Sequence, residues 1–157
     1  MFSGYRTTPL EDWVTTFYKR IGIQKPSDLQ IDIIAEHCDV ILIIDEAESS
    51  YIITDLFQII TLDSRLSPEK QKETFFHELC HILRHEGMQG KMPYMFREWQ
   101  EWDAVNFTKY AAIPAHMLQY IRLDRDSIAE MSNLFKVTPE LCKARLEQIR
   151  NRLYIRE

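Results

Sequence analysis

Hydrophobic positions change their spacing twice along the chain. From Thr8 to Ile21 they recur at helical intervals, with Trp13, Phe17 and Ile21 a turn apart behind a Thr8-Pro9-Leu10-Glu11 start. Pro26-Ser27-Asp28 opens a second helical stretch that carries Leu29, Ile33 and Ile34. The pattern then becomes β-rich in three short runs, Val40 to Asp45, Tyr51 to Thr54 and Phe57 to Leu62. Glu46-Ala47-Glu48-Ser49-Ser50 and Asp55 separate them. After Ser67 the spacing is helical to the end. The pattern predicts an α+β fold: N-terminal helices, a small antiparallel sheet, and a helical remainder. No repeat, low-complexity linker or boundary interrupts it, so residues 1–157 are expected to form one domain.

The helix after the sheet has well-formed ends. Ser67 is its N-cap, Pro68 its first residue and Glu69 an acid in the first turn, while Gly87 is a plausible stop. Phe75, Phe76, Leu79, Ile82 and Leu83 share one arc, and His77, Glu78 and His81 lie opposite. One face packs and the other carries chemistry. His77-Glu78-Leu79-Cys80-His81 is an H-E-x-x-H string. On a helix it sets two imidazoles one turn apart on the same side, where both reach one zinc ion. Glu78 beside them is placed to take a proton from the attacking water, whose pKa zinc lowers to roughly 7.

Two histidines leave a zinc site one protein ligand short. The next helical segment, about Phe96 to Ile113, offers Glu98, Glu101 and Asp103. Glu101 follows His81 after nineteen intervening residues, the ligand spacing of the thermolysin-like peptidases that this stretch resembles. It shares a side with Ala104, Val105, Thr108 and Ala112, small residues that allow close helix approach. A rival face of Phe96, Trp99, Phe107 and Tyr110 brings Asp103 inward instead. Asp103 points about 200° from Glu101 on the wheel, so the two carboxylates cannot serve the same metal. Glu101, Asp103 and Glu98 all stay open on geometry alone.

The run Phe75 to His85, with Glu101-Trp102-Asp103-Ala104-Val105-Asn106-Phe107 and Ile113-Pro114, resembles the ImmA/IrrE family of metallopeptidases. Within it the compact anti-repressor proteases of phages and integrative elements are the most similar. The likeness covers about Thr74 to Pro114, with a weaker match toward the C-terminus. It implies a zincin-like domain with one zinc per chain, His77, His81 and Glu101 as metal ligands, and Glu78 as the catalytic base. It also implies a protein substrate, a helix-turn-helix repressor of the same mobile element. Three positions depart from the family pattern: Cys80 replaces Gly, Val105 stands where Asn or Asp is common, and Thr108 replaces Ala. An acid or amide at the position of Val105 commonly steadies a ligand histidine, so its loss is expected to weaken metal affinity.

Composition narrows the setting. The 157 residues are 45% hydrophobic and 27% charged, an ordinary globule able to bury about 70% of its unfolded surface. Met1 to Leu10 lacks a signal-peptide pattern, and Val40-Ile41-Leu42-Ile43-Ile44 is too short to span a membrane. Cys38, Cys80 and Cys142 are odd in number and widely spaced, which reads as reduced thiols in a cytoplasm. A net charge of −5 argues against nonspecific nucleic-acid binding.

The C-terminal segment 126–153 has a helix-turn-helix flavour, with Thr138-Pro139-Glu140 starting its second helix. Lys143, Arg145, Arg150, Arg152 and Arg156 make it locally basic, yet packing or repressor docking is the preferred reading over DNA contact. His85, a turn past His81, is expected to support the site rather than ligate, because a regular helix does not wrap three turns around one ion. Cys80 flanks the packed face and is read as core, not nucleophile. Trp99 and Trp102 suit either a cleft or the core. Tyr94, Tyr110 and His116 are candidates for stabilising the oxyanion. Gly87-Met88-Gln89-Gly90-Lys91 lacks phosphate-loop spacing.

Overall fold

The computed structural model describes residues 4–85, 94–124 and 126–154, the side chains of Tyr94 and Tyr154 excepted. Gly87 and the Gly87–Lys91 stretch lie outside the described residues, as does Arg156. The helices are α1 (Pro9–Arg20), α2 (Ile31–His37), α3 (Pro68–Arg84), α4 (Tyr94–Ala112), α5 (Ile128–Phe135) and α6 (Pro139–Tyr154). The strands are β1 (Val40–Asp45), β2 (Ser50–Ile53) and β3 (Gln58–Asp63), and short 3-10 turns occupy Pro26–Asp28 and Ala115–Tyr120. The chain is thus α+β, as its patterning predicts. It divides into two compact units, residues 31–108 and the remainder on either side.

In the unit of residues 31–108 the sheet order is β1-β3-β2. β2 and β3 form an antiparallel hairpin, but β1 and β3 are parallel, with Val40 opposite Gln58 and Asp45 opposite Asp63. The expected all-antiparallel sheet is therefore corrected to a mixed one. The cause is in the connections. Thr54 closes the β2–β3 turn, its hydroxyl accepting from the Leu56 and Phe57 amides at 3.2 and 3.0 Å. The β1–β2 segment, Glu46 to Ser49, passes the end of β3 instead of closing a hairpin. There the Ser49 hydroxyl accepts from Asp63 N at 2.9 Å, and Ser64 N donates to Asp45 O at 2.9 Å.

α3 packs on β2 and β3. Phe75, Phe76, Leu79 and Ile82 on the helix and Ile60 and Leu62 on the sheet are all buried. Burying this apolar layer stabilises the unit by roughly 25 cal/mol per Å² removed from water. The Ser67 hydroxyl accepts from Lys70 N at 3.1 Å and Pro68 opens the first turn, as local signals predict. β2 is an edge strand: among the described residues no other strand pairs with its outer side.

In the other unit α1 presents a different face from the one its aromatic spacing suggests. Glu11, Val14 and Tyr18 are buried, while Trp13 and Phe17, only partly buried, stack with ring centroids 5.5 Å apart. Two polar bonds set this rotation. The Tyr18 hydroxyl donates to Ala111 O at 2.7 Å, and Arg145 Nη2 donates to a Glu11 carboxylate oxygen at 2.8 Å. The helix expected from Pro26 is broken after Asp28, and Leu29 is buried in this unit. The remainder of that stretch is α2 of the unit of residues 31–108, where Ile34 is buried and Ile33 faces solvent. α5 and α6 pack as a pair joined through Lys136, whose φ of 57° is left-handed. Of the basic residues in this pair, Arg145 is wholly buried and Arg152 binds Glu11 and Tyr110. Two cations of the supposed DNA face are thereby engaged inside the fold. No helix among the described residues is long and apolar enough to cross a membrane.

Candidate metal centre

The site is built by α3 and by the part of α4 that lies in the same unit. His77 and His81 stand one turn apart on α3, their rings 5.2 Å from centroid to centroid. Glu101 on α4 reaches both: Oε2 is 2.9 Å from His77 Nε2, and Oε1 is 3.0 Å from His81 Nε2. Ligand-type atoms of these three residues all lie within 4.8 Å of one another. Donors about 2.0–2.1 Å from a tetrahedral ion are about 3.3 Å apart, so the set fits a zinc-sized cation with a shift of a few tenths of an ångström. Nitrogen and carboxylate donors are also what such an ion accepts. Glu101 is half exposed, which leaves the centre open to solvent on one side.

Electrostatics favour this chemistry. Burial lowers the pKa of His81 against the opposing pull of Glu101, and its neighbours His77 and His85 lower it further. A neutral imidazole is the form that ligates. Burial raises the Glu78 carboxyl above its ordinary range; His77 opposes the shift and Glu101 adds to it. A carboxylate raised toward neutrality is a better-matched proton acceptor.

Asp103 does not join this cluster. It is buried, and its Oδ2 lies 2.7 Å from His85 Nε2, 3.2 Å from Arg84 Nε and 3.8 Å from the Cys80 sulfur. Neither arc drawn on the α4 wheel describes the helix. Gln100, Asp103, Ala104, Phe107 and Thr108 are buried between them, while Phe96, Trp99 and Val105 are exposed. Glu98 is also exposed. Trp102 faces solvent, and the Trp99 and His85 rings meet edge to face with centroids 5.8 Å apart. Cys80 is fully buried, and burial followed by Asp103 pushes its thiol far above the range of a reactive thiolate.

Tyr51 is a site residue that sequence reasoning missed. It lies on β2, and its ring stacks on His81 at 5.2 Å with 12° between planes. Burial raises its hydroxyl pKa, with Glu78 and then Glu101 adding to the shift. Its place in an alternating strand carried no signal of a neighbour on α3. Tyr110 and His116 are partnered in the other unit, Tyr110 by Arg152 and His116 by Ile23 O at 3.0 Å. The Tyr94 side chain lies outside the described residues.

An H-E-x-x-H helix over a small sheet, met by a carboxylate from a second helix, is the arrangement of a metallopeptidase-type domain. The chain belongs to peptidase family M78: the IrrE N-terminal-like domain matches residues 35–147. It is 37% identical to the uncharacterized protein YqaB of Bacillus subtilis (strain 168) over 145 residues, 90% of this chain and 84% of that one. It is 33% identical to the phage-like element PBSX protein XkdA of the same organism over 146 residues, 91% of this chain and 74% of that one.

Proposed function

We propose that the chain is a cytoplasmic zinc-dependent endopeptidase that cleaves a helix-turn-helix repressor of a phage-like or mobile element. His77, His81 and Glu101 hold one zinc, and Glu78 is the general base. The observation that carries this reading is the convergence of two imidazole nitrogens and a carboxylate on one point, with Glu78 beside them on the same helix. Bound there, zinc supplies Lewis acidity toward a peptide carbonyl and acidity to water. Glu78 takes the proton of the attacking water and returns it to the leaving amine. β2 holds an extended substrate segment along its outer side, next to His81 through Tyr51.

Three further facts support the setting. XkdA is named as a protein of a phage-like element. The three cysteines are free, which suits a reducing compartment. A chain of net charge −5 is drawn to a basic DNA-binding repressor, which speeds encounter without selecting the bond.

The test is co-incubation of the protein with the helix-turn-helix repressor encoded beside it, read by mass spectrometry. Cleavage is expected at one or very few bonds, in an exposed loop or a helix end that frays. A chelator abolishes it, added zinc restores it, and elemental analysis finds one zinc per chain. Casein is cut poorly. Rapid digestion of unrelated unfolded proteins without preference for the repressor refutes the regulatory role, and absence of stoichiometric metal refutes the zinc centre.

A further inference from the structure

His81 is held from behind by two residues that take no part in the cluster of His77, His81 and Glu101. His85, one turn on and capping α3, sets its Nδ1 3.2 Å from His81 Nδ1. The other nitrogen of the His85 ring, Nε2, is 2.7 Å from Asp103 Oδ2. All three side chains are at least 95% buried. We propose that Asp103 and His85 are positioning residues that fix the His81 ring and its tautomer, leaving the His81 Nε2 lone pair directed at the metal position. This rests on the metal reading above.

The proton positions follow from the contacts. An ionised carboxylate only accepts, so His85 Nε2 carries hydrogen and donates to Asp103. Arg84 already compensates the Asp103 charge through the same oxygen, at 3.2 Å. With Nε2 donating to Asp103, the other nitrogen of the ring, Nδ1, is the one presented to His81, as an acceptor when the ring carries a single hydrogen. Two lone pairs do not face each other at hydrogen-bond distance. His81 Nδ1 therefore carries the hydrogen and donates to His85, and His81 Nε2 is bare. That nitrogen lies 3.0 Å from Glu101 Oε1, an arrangement that a cation between them stabilises.

The ring plane is fixed as well. Tyr51 stacks on one face of His81, and the His85 ring meets it edge-on at 5.2 Å. Rotation of His81 about its side-chain bonds would break the nitrogen–nitrogen bond and the stack together. Cys80, His85 and Asp103 themselves have metal-type spacing. However, the Arg84 cation sits on the shared oxygen, and the Cys80 thiol is held protonated, so this group acts as a support and not as a second metal site.

The experiment uses the full chain, uniformly labelled with 15N. In the zinc-loaded protein a hydrogen on His81 Nδ1 and a scalar coupling across the bond to His85 Nδ1 are expected. Absence of the coupling overturns the proposal. Zinc affinity, measured by competition with a chromophoric chelator, should fall about 10–100-fold in His85→Phe, which keeps a ring but removes both nitrogens. Asp103→Asn, which keeps volume, should weaken zinc in the same direction by a smaller factor. Wild-type affinity in folded forms of both variants, with only thermal stability reduced, means a merely structural role and overturns the relay. So does uptake of two metal ions per wild-type chain. If the wild-type chain takes up no metal, the metal reading above falls, and the metal-free spectrum judges the relay alone. Hydrogen on His81 Nδ1 then supports it, and hydrogen on His81 Nε2 overturns it.

Discussion

Replacing Glu78 with Gln is expected to leave fold and metal content intact and to slow repressor cleavage on the order of 10²–10⁴-fold, the usual contribution of a general base. The amide keeps the shape of the carboxyl and lies outside the cluster formed by His77, His81 and Glu101. What it lacks is the ability to take a proton. Burial has raised that carboxyl, and the neighbouring Glu101 charge adds to the effect, so the group removed is a stronger base than an exposed glutamate. The same carboxyl returns the proton to the leaving amine, so both halves of the reaction suffer. His81→Ala gives the contrast, because it should lose metal and activity together. The measurement is metal per chain beside single-turnover cleavage of the repressor. In cells, Glu78→Gln protein that still released the repressor's genes would show that binding, and not cutting, is the active event.

The parts legible in the sequence were those set by local signals. Ser67 as cap, Pro68 in the first turn and the arc from Phe75 to Ile82 are all short-range, and they place α3 and its chemical face. The three strands were likewise found within a residue or so, because alternation and β-branched content are properties of the segment itself. Their pairing was not, since nothing in Glu46–Ser49 says which strand the chain will meet after leaving β1. A short connector tells only that the chain turns.

α4 shows why periodicity alone could not choose its face. Its aromatic residues and its small residues propose two different arcs, and the helix buries a band between them. Phe96, Trp99 and Trp102 remain exposed, whereas Asp103 and Phe107 are buried, Asp103 held by Arg84 and His85. That rotation brings Glu101 to the edge of the buried band, close enough for both histidines and still half in solvent. A wheel weighs hydrophobicity and cannot foresee that a buried carboxylate will fix a helix. The same blindness hid Tyr51, whose stacking partner lies thirty residues away on another element.

Glu11→Gln should destabilise the folded chain by about 3–5 kcal/mol, the usual cost of leaving a buried charge without its partner. On a stability of about 5–15 kcal/mol this is a large fraction. Glu11 is 1% exposed and Arg145 is 0% exposed. The carboxylate accepts from Arg145 Nη2 at 2.8 Å and from the Tyr5 hydroxyl at 2.7 Å, and it also pairs with Arg152. It closes the α1 capping box as well, accepting from Thr8 N at 3.1 Å. Burial alone would raise its pKa, but Arg145, the Tyr5 bond and the Thr8 amide outweigh burial and hold it below 4.5. The stability from this carboxylate is therefore fully present above about pH 4.5 and is lost as pH falls through the lower folded value. Urea unfolding of wild type and Glu11→Gln across pH 3–7 should show the gap narrowing toward the acid end, where the unfolded carboxyl takes up its proton before the folded one. Pairing Glu11→Leu with Arg145→Met removes the carboxylate and the wholly buried guanidinium and should recover much of the loss, because the remaining partner, Arg152, is partly exposed. A Glu11→Gln protein within about 1 kcal/mol of wild type at neutral pH would place the two guanidinium groups on other acceptors and remove the carboxylate from its structural role.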